Sequence, residues 1–413
     1  MRILMMGPFG LHPKGTMRAR ALPAARALVA RGHTVRILMP PWHRPEEGGR
    51  AWQEEGVQLR YVSLAGLRLP LPLLGHLLVA RRMAVQARAW KPDLIHVFKP
   101  KAYGLLAADL LRPRPCPIVV DTDDWEGPGG WNDLEPYPFW QRAAFAWQER
   151  HGLRTADHVT VASRALHGLT WALGVPPAKV SYLPNGIDLA HVESMAGDGA
   201  VDGKADGDGG SKGDDDLNRP GDSGRGPRLL LYTRFFEFPV ERPIALLARI
   251  RERHPDARLV VVGRGLFGEE AALRAAAARA GVAEAVEEHG WLEPPDARRV
   301  FAGCDVALYP FDDTLVNRTK SSVKLLELLA AGLPVVAEAV GQNAVVIEDG
   351  RSGRLVPSGD EVAFSEAVLA LLADPVARDA LGLGARQRVG ETFAWPVLAE
   401  ELEQIYARVL DRE

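Results

Sequence analysis

The sequence predicts an α/β protein made of two parallel-sheet domains facing each other across a cleft. Three observations predict it. Short, almost wholly apolar strands alternate with helical stretches in both halves, the pattern of sheets covered on both faces. A segment between Met195 and Pro227, rich in Gly and Asp and nearly devoid of apolar residues, separates the halves and cannot build a core. Finally, 413 residues exceed what one ordinary hydrophobic core organises. The boundaries that follow are residues 1–194 for the first domain, 195–227 for a linker and 228–413 for the second. The last helix is expected to pack back on the first domain.

In the first half, Arg2–Met6 reads as a strand, followed by a Gly-rich turn and a helix from about Met17 to Arg31. Gly32-His33 ends that helix, and Thr34–Met39 is the next strand. Leu94–Phe98, Ile118–Asp121 and His158–Ala162 follow, each beside a helical stretch. The linker's Asp/Gly spacing hints at calcium ligands, but no EF-type loop closing in Glu is present. It reads as an insertion, and no metal site is expected. In the second half come strand Leu229–Tyr232, helix Pro243–Arg253, strand Arg258–Val262, helix Glu269–Ala280 and strand Val306–Tyr309. A helix capped by Ser321 or Ser322 and closed by Gly332 leads into strand Pro334–Ala337.

Composition excludes several classes. A 47% hydrophobic and 25% charged content is that of a globular chain, and the greasiest segment, Gly66–Ala80, holds Arg68 and two prolines and is too short to span a bilayer. The opening residues run directly into a strand, so no signal peptide is expected. Cys116 and Cys304 fit no metal or disulfide spacing and read as reduced core thiols of a cytoplasmic protein. The net charge of −3 hides an asymmetry: residues 1–190 carry 24 Lys and Arg against 15 Asp and Glu. Such a basic half suits an anionic acceptor or membrane face, although Arg-rich composition alone would also produce it.

The most informative stretch is Asn317–Val336. Lys320, Lys324 and Glu327 fall within about 60° of one another on a helix that is otherwise greasy nearly all round. Free N–H groups at the start of that helix suit a phosphate, and Glu327 can accept hydrogen bonds from a sugar diol. A Lys/Glu pair on a partly solvated helix would give the same stripe. Gly10 and Gly15, after the first strand, let backbone approach a phosphate or sugar. They form neither a dinucleotide fingerprint nor a P-loop, and a structural turn would use them too. Arg234, at a strand's carboxyl end, faces the expected cleft, with Arg242 eight residues on; guanidinium groups can fork onto a diphosphate. Surface pairing of Arg234 with Glu237 or Glu241 is the plainer reading. Gly263 and Arg264 form a third loop on the same rim.

These residues carry a resemblance. The chain resembles the retaining, nucleotide-sugar-dependent glycosyltransferases of family 4, also called group 1, which have the GT-B fold of two Rossmann-like domains. The matching pieces span nearly the whole chain. They include the Gly-rich first loop, Val-Val-Asp121-Thr-Asp123-Asp124, Pro184-Asn185-Gly186-Ile-Asp188, Arg234, and Glu327-Leu-Leu-Ala-Ala-Gly332-Leu-Pro334-Val-Val.

The resemblance implies that Glu327 grips the nucleotide ribose and that Arg234 neutralises the diphosphate. Arg242 or Lys320 would stand in for a lysine missing from its usual spacing, with Gly263, Arg264, Ser321, Ser322 and Lys324 lining the donor site. Two departures matter. Thr319 stands where the family has an acid that contacts the donor sugar, and Asp123 falls at the family's cleft histidine. Asp123, Asp124, Asn185 and Thr319 are therefore the expected contacts to sugar or acceptor, with Asp123 also a catalytic candidate. The implied reaction moves a sugar from a UDP-, GDP- or ADP-sugar to an acceptor hydroxyl, in glycan, glycolipid or cell-envelope polysaccharide synthesis. No metal or other cofactor is required, and nucleic acid is not an expected partner. The alternatives are a GT-B epimerase or phosphorylase and a catalytically silent nucleotide-sugar binder.

Leu67–Val79, followed by Arg81 and Arg82, is either a loop and helix buried on its own domain or a contact with an anionic inner membrane face. Trp125, Trp131, Trp140 and Trp147 follow the Asp121–Asp124 loop. Stacking on sugar or lipid is the reading for some of them, and most are expected in the core.

Overall fold

The computed structural model describes residues 1–12, 15–64, 72–189 and 225–411. Most of the expected linker, and the first part of the Leu67–Val79 segment, lie outside the described residues. The chain divides into two compact units: Met1–Ile187 with Thr314–Val323 and Thr392–Glu413, and Asp188–Asp313 with Lys324–Glu391. Thr314–Val323, which the sequence places in the second domain, therefore belongs with the first.

The first unit is built on an eight-stranded sheet. Its strands are β1 (Arg2–Met6), β2 (Thr34–Met39), β3 (Ala51–Glu54), β4 (Val57–Tyr61), β5 (Leu94–Phe98), β6 (Ile118–Thr122), β7 (His158–Val161) and β8 (Val180–Tyr182). The order is β3-β4-β2-β1-β5-β6-β7-β8, all parallel except the β3–β4 pair. Every residue of β5 and β6 is buried because helices cover both faces. Edge strand β3 alternates exposed and half-buried positions and so shows no apolar run.

Two cores flank this sheet. One gathers Met83, Val97 and Leu153, the other Ile3, Met5 and Leu28. The second core also takes Trp395, Leu398, Leu402 and Tyr406 from the last helix, Trp395–Leu410, whose buried residues recur at helical spacing. Ile187 N–H donates to the Phe393 carbonyl at 2.9 Å, and Trp395 N–H to the Ile187 carbonyl at 3.0 Å, so the segment is stitched on by backbone as well.

The second unit holds a six-stranded, wholly parallel sheet of β9 (Arg228–Thr233), β10 (Arg258–Gly263), β11 (Val286–Gly290), β12 (Val306–Tyr309), β13 (Val335–Glu338) and β14 (Arg354–Val356). Their order is β11-β10-β9-β12-β13-β14. Leu229, Leu231, Val261, Leu308, Val336 and Phe364 meet in its core. The Val323–Ala331 helix connects towards β13 and stops at Gly332, whose φ of +73° is left-handed.

One expectation is overturned. Trp140 and Trp147 are not core residues but stand largely in solvent. Their helix, Phe139–Thr155, instead turns Gln148, Glu149, Gly152 and Leu153 inward. Trp125 and Trp131 are half-buried. Cys116 and Cys304 are buried free thiols. Among the described residues, no helix is long and apolar enough to cross a membrane.

Candidate active site

In the second unit, the carboxyl ends of β9 and β10 meet one side of the Val323–Ala331 helix. Thr233 and Gly263 are register partners there. A Cβ on Gly263, which has φ of +129°, would sit 1.9 Å from the Thr233 carbonyl oxygen and 3.4 Å from Lys324 Nζ. Only glycine fits. Lys324 Nζ donates to the Thr233 carbonyl at 2.8 Å and lies 4.0 Å above the Tyr232 ring. One turn further along the helix, Glu327 is half-buried and hydrogen-bonded with the Tyr232 hydroxyl. Burial raises the Glu327 pKa; the Tyr232 hydrogen bond and the charges of Lys324 and Arg298 pull it back only in part. Tyr232 and Arg298 are additions that the sequence reading missed. Tyr232, a polar-tipped residue two before Arg234 at a strand's end, was the available signal.

Arg234 is half-buried and follows directly. The next residue, Phe235, has φ of +69°, a costly conformation for a bulky side chain, and its N–H donates to Thr233 Oγ1 at 2.8 Å. Arg264 is exposed on the adjoining loop. Arg242 is occupied differently from what the spacing suggested. Its guanidinium pairs with Asp312 and, at 2.6 Å, with Glu338. Glu338, fully buried, also accepts from Phe311 N at 2.6 Å and Gly359 N at 2.5 Å. Arg242 thus neutralises a buried carboxylate that braces two loops.

In the first unit, a second group gathers after β5 and β6. Lys99 Nζ lies 2.8 Å from Asp124, 3.2 Å from Glu126 and 3.8 Å from Asp123. Lys101 reaches Glu126 and Asn132, each at 2.8 Å. Lys99 and Ala102 both have left-handed φ, +59° and +50°, so the turn that sets the two lysines inward is strained. Burial opposes the Lys99 charge, but Asp124, Asp123 and Glu126 hold its pKa well above the ordinary value. Thr16 Oγ1 donates to Asp123 Oδ2 at 2.8 Å, whereas Asp123 Oδ1 is buried without a hydrogen-bond partner among the described residues. Burial, together with Asp124 and Asp121, raises the Asp123 carboxyl to about 6 against the pull of Lys99. Lys320 helps hold the Asp124 carboxyl low, after Lys99.

The Pro184-Asn185-Gly186 turn is held by side chains that the sequence did not single out. Buried Arg20 donates to Asp121, to the Leu183 and Pro184 carbonyls and to Asn185 Oδ1 at 2.6–2.9 Å. Asn185 in turn donates to the Ser321 carbonyl at 2.6 Å and, through its backbone, to Ser321 Oγ at 3.2 Å. Ser322 is buried beside it. Thr319 is buried, its hydroxyl donated to the Leu315 and Val316 carbonyls of its own helix. Asn185 is therefore tied into the turn, while the Thr319 hydroxyl is bonded within its own helix. Gly10 packs so that a Cβ would lie 3.1 Å from the Tyr61 ring, while no atom among the described residues lies within 4 Å of a Cβ placed on Gly15.

Two Rossmann-like units, each with charged residues gathered at strand carboxyl ends, match the GT-B class of glycosyltransferases. Residues 15–186 match the glycosyl transferase 4-like domain and residues 239–374 match glycosyl transferases group 1. The chain belongs to this glycosyltransferase family and is a transferase enzyme. It is 25% identical over 419 residues to a phosphatidyl-myo-inositol mannosyltransferase of Mycobacterium leprae, covering 99% of this chain and 97% of that one. Sucrose-phosphate synthase from Thermosynechococcus elongatus shares its fold with a TM-score of 0.71 at 18% identity, all of both chains aligning. Anabaena HepE, solved with UDP and glucose, does so with a TM-score of 0.69 at 14% identity, over 99% of this chain and 100% of that one.

Proposed function

We propose that this enzyme transfers a hexosyl group from a nucleotide-diphosphate sugar to a hydroxyl of a glycolipid or polysaccharide acceptor, with retention and without an essential metal. The observation that carries the reading is the Glu327–Tyr232–Lys324 constellation, a half-buried carboxylate set beside strand ends where α/β folds bind nucleotides. In this reading Glu327 accepts hydrogen bonds from the ribose diol. Arg234 and the N–H groups at the start of the Val323–Ala331 helix stabilise the charge that develops on the diphosphate as its bond to the anomeric carbon breaks. Asp123 Oδ1 accepts a hydrogen bond from the acceptor hydroxyl or the transferred sugar, and the acceptor oxygen forms the new bond as its proton passes to the Asp123 carboxylate or, where Asp123 holds the sugar, to the departing diphosphate. HepE's bound UDP and glucose support a nucleotide-sugar donor. The relative named for phosphatidyl-myo-inositol supports a lipid-borne acceptor.

Incubation with UDP-, GDP- and ADP-sugars tests the reading. A transferase releases some sugar to water, an epimerase returns an isomer, and a silent binder gives thermal stabilisation alone. Arg234→Ala and Glu327→Ala should each lower transfer roughly 10²-fold or more. Near-normal turnover in both variants would reject the assigned roles.

A further inference from the structure

We infer that the outward face of the Phe139–Thr155 helix is a docking surface for an anionic lipid bilayer. Phe139, Trp140 and Trp147 are 77%, 56% and 55% exposed, and with Arg150 and Arg154 they fall within about 100° of the helix circumference. No acidic residue lies in that arc. Large aromatic side chains in water beside cations are the composition of a face that sits at the headgroup level, rings among the acyl boundary and guanidinium groups on phosphates. Asp133 and Asp109 flank the face, each with a partner: Arg142 at 3.5 Å and His151 Nε2 at 3.2 Å. His151 also stacks on Trp147, with centroids 4.9 Å apart.

The other side of the same helix is fixed to the loops after β5 and β6. Gln148 accepts from Ala102 N at 2.9 Å, and Glu149 accepts from Glu126 N at 2.9 Å and Thr122 Oγ1 at 3.2 Å. One element therefore holds the Asp123–Asp124 loop from within while presenting rings and cations outward. A lipid whose headgroup bears the acceptor hydroxyl would be delivered to the unit that carries that loop. This last step rests on the glycosyltransferase reading above; the docking itself does not.

The test is co-sedimentation of the full chain, without donor, with vesicles of pure phosphatidylcholine and of equal parts phosphatidylcholine and phosphatidylglycerol. Binding to the anionic vesicles with a blue shift of Trp fluorescence is expected. Combined Trp140→Ala and Trp147→Ala should lower partitioning roughly tenfold or more, and Arg150→Gln with Arg154→Gln should weaken it most at low salt. Unchanged melting and donor hydrolysis in both variants would exclude misfolding. Failure of the wild type to bind, or undiminished binding by the double Trp variant, overturns the inference. So does self-association in sedimentation velocity that the Trp variant abolishes, which would assign the face to a second copy. Loss of donor hydrolysis in the wild type would count against the transferase reading instead.

Discussion

At Asp123, one buried carboxyl has a hydrogen-bonded oxygen and one without a hydrogen-bond partner among the described residues, and burial lifts its pKa to about 6. The sign of the effect on stability follows. Because the folded-state value is raised, the folded chain holds a proton that the unfolded chain has already released, so this group's contribution falls as pH rises through about 6. If Asp123 must be ionised to accept the acceptor's proton, transfer should rise through that same pH. Asp123→Asn should flatten the pH–rate profile there, and a persisting inflection near 6 would assign it to another group. Tyr232 offers a cleaner probe of the donor side. Tyr232→Phe removes one hydrogen bond to Glu327 while keeping the ring under Lys324. Titration calorimetry should show nucleotide affinity reduced by about 1–2 kcal/mol, with KM for donor rising more than kcat falls.

Among the elements, the central strands were legible because burial on both faces leaves an uninterrupted apolar run, as in Leu94–Phe98 and Val306–Tyr309. Edge strands were not: Val286-Glu-Glu-His-Gly290 and Ala51–Glu54 carry polar residues wherever no helix covers them. The Val323–Ala331 helix disclosed Glu327 because one polar stripe on a greasy cylinder is a local pattern. The Lys99, Lys101, Glu126 and Glu149 cluster is a tertiary pattern: two strand-end loops and a helix bring it together, and no spacing records that. Arg20 finds Asp121 across a hundred residues for the same reason. The exposed Trp140 and Trp147 show the converse limit, since hydrophobicity alone assigned them to a core that Gln148 and Leu153 occupy. At the β9–β10 ends, Gly263→Ala would drive a methyl into the Thr233 carbonyl from a strained φ. The variant should lose about 2 kcal/mol or more of stability in denaturant unfolding, along with nucleotide binding.

Across the whole molecule, one buried chain of hydrogen bonds ties distant parts of the sequence together. Thr160 Oγ1 donates to Asp121 at 2.6 Å and lies 3.3 Å from His96 Nε2, and His96 Nδ1 meets the Tyr406 hydroxyl at 2.6 Å. Burial depresses His96 to about 4. A lowered folded-state value means that stability gained above pH 6.5 is lost as pH falls towards 4. This single group should cost on the order of 1–3 kcal/mol across that window. Tyr406→Phe strips the ring of its partner, and unfolding at pH 7 should show about 1–2 kcal/mol less stability. Deleting Thr392–Glu413 goes further, baring the core around Trp395 and Tyr406. Limited proteolysis should then degrade the first unit while leaving a protected fragment from the second.

The same dependence has a consequence during synthesis. An amino-terminal sheet that lacks its closing helix stays unfinished while the ribosome makes everything in between. Its greasy flank is exposed until the Trp395–Leu410 helix has been made, so chaperone protection falls on the first unit.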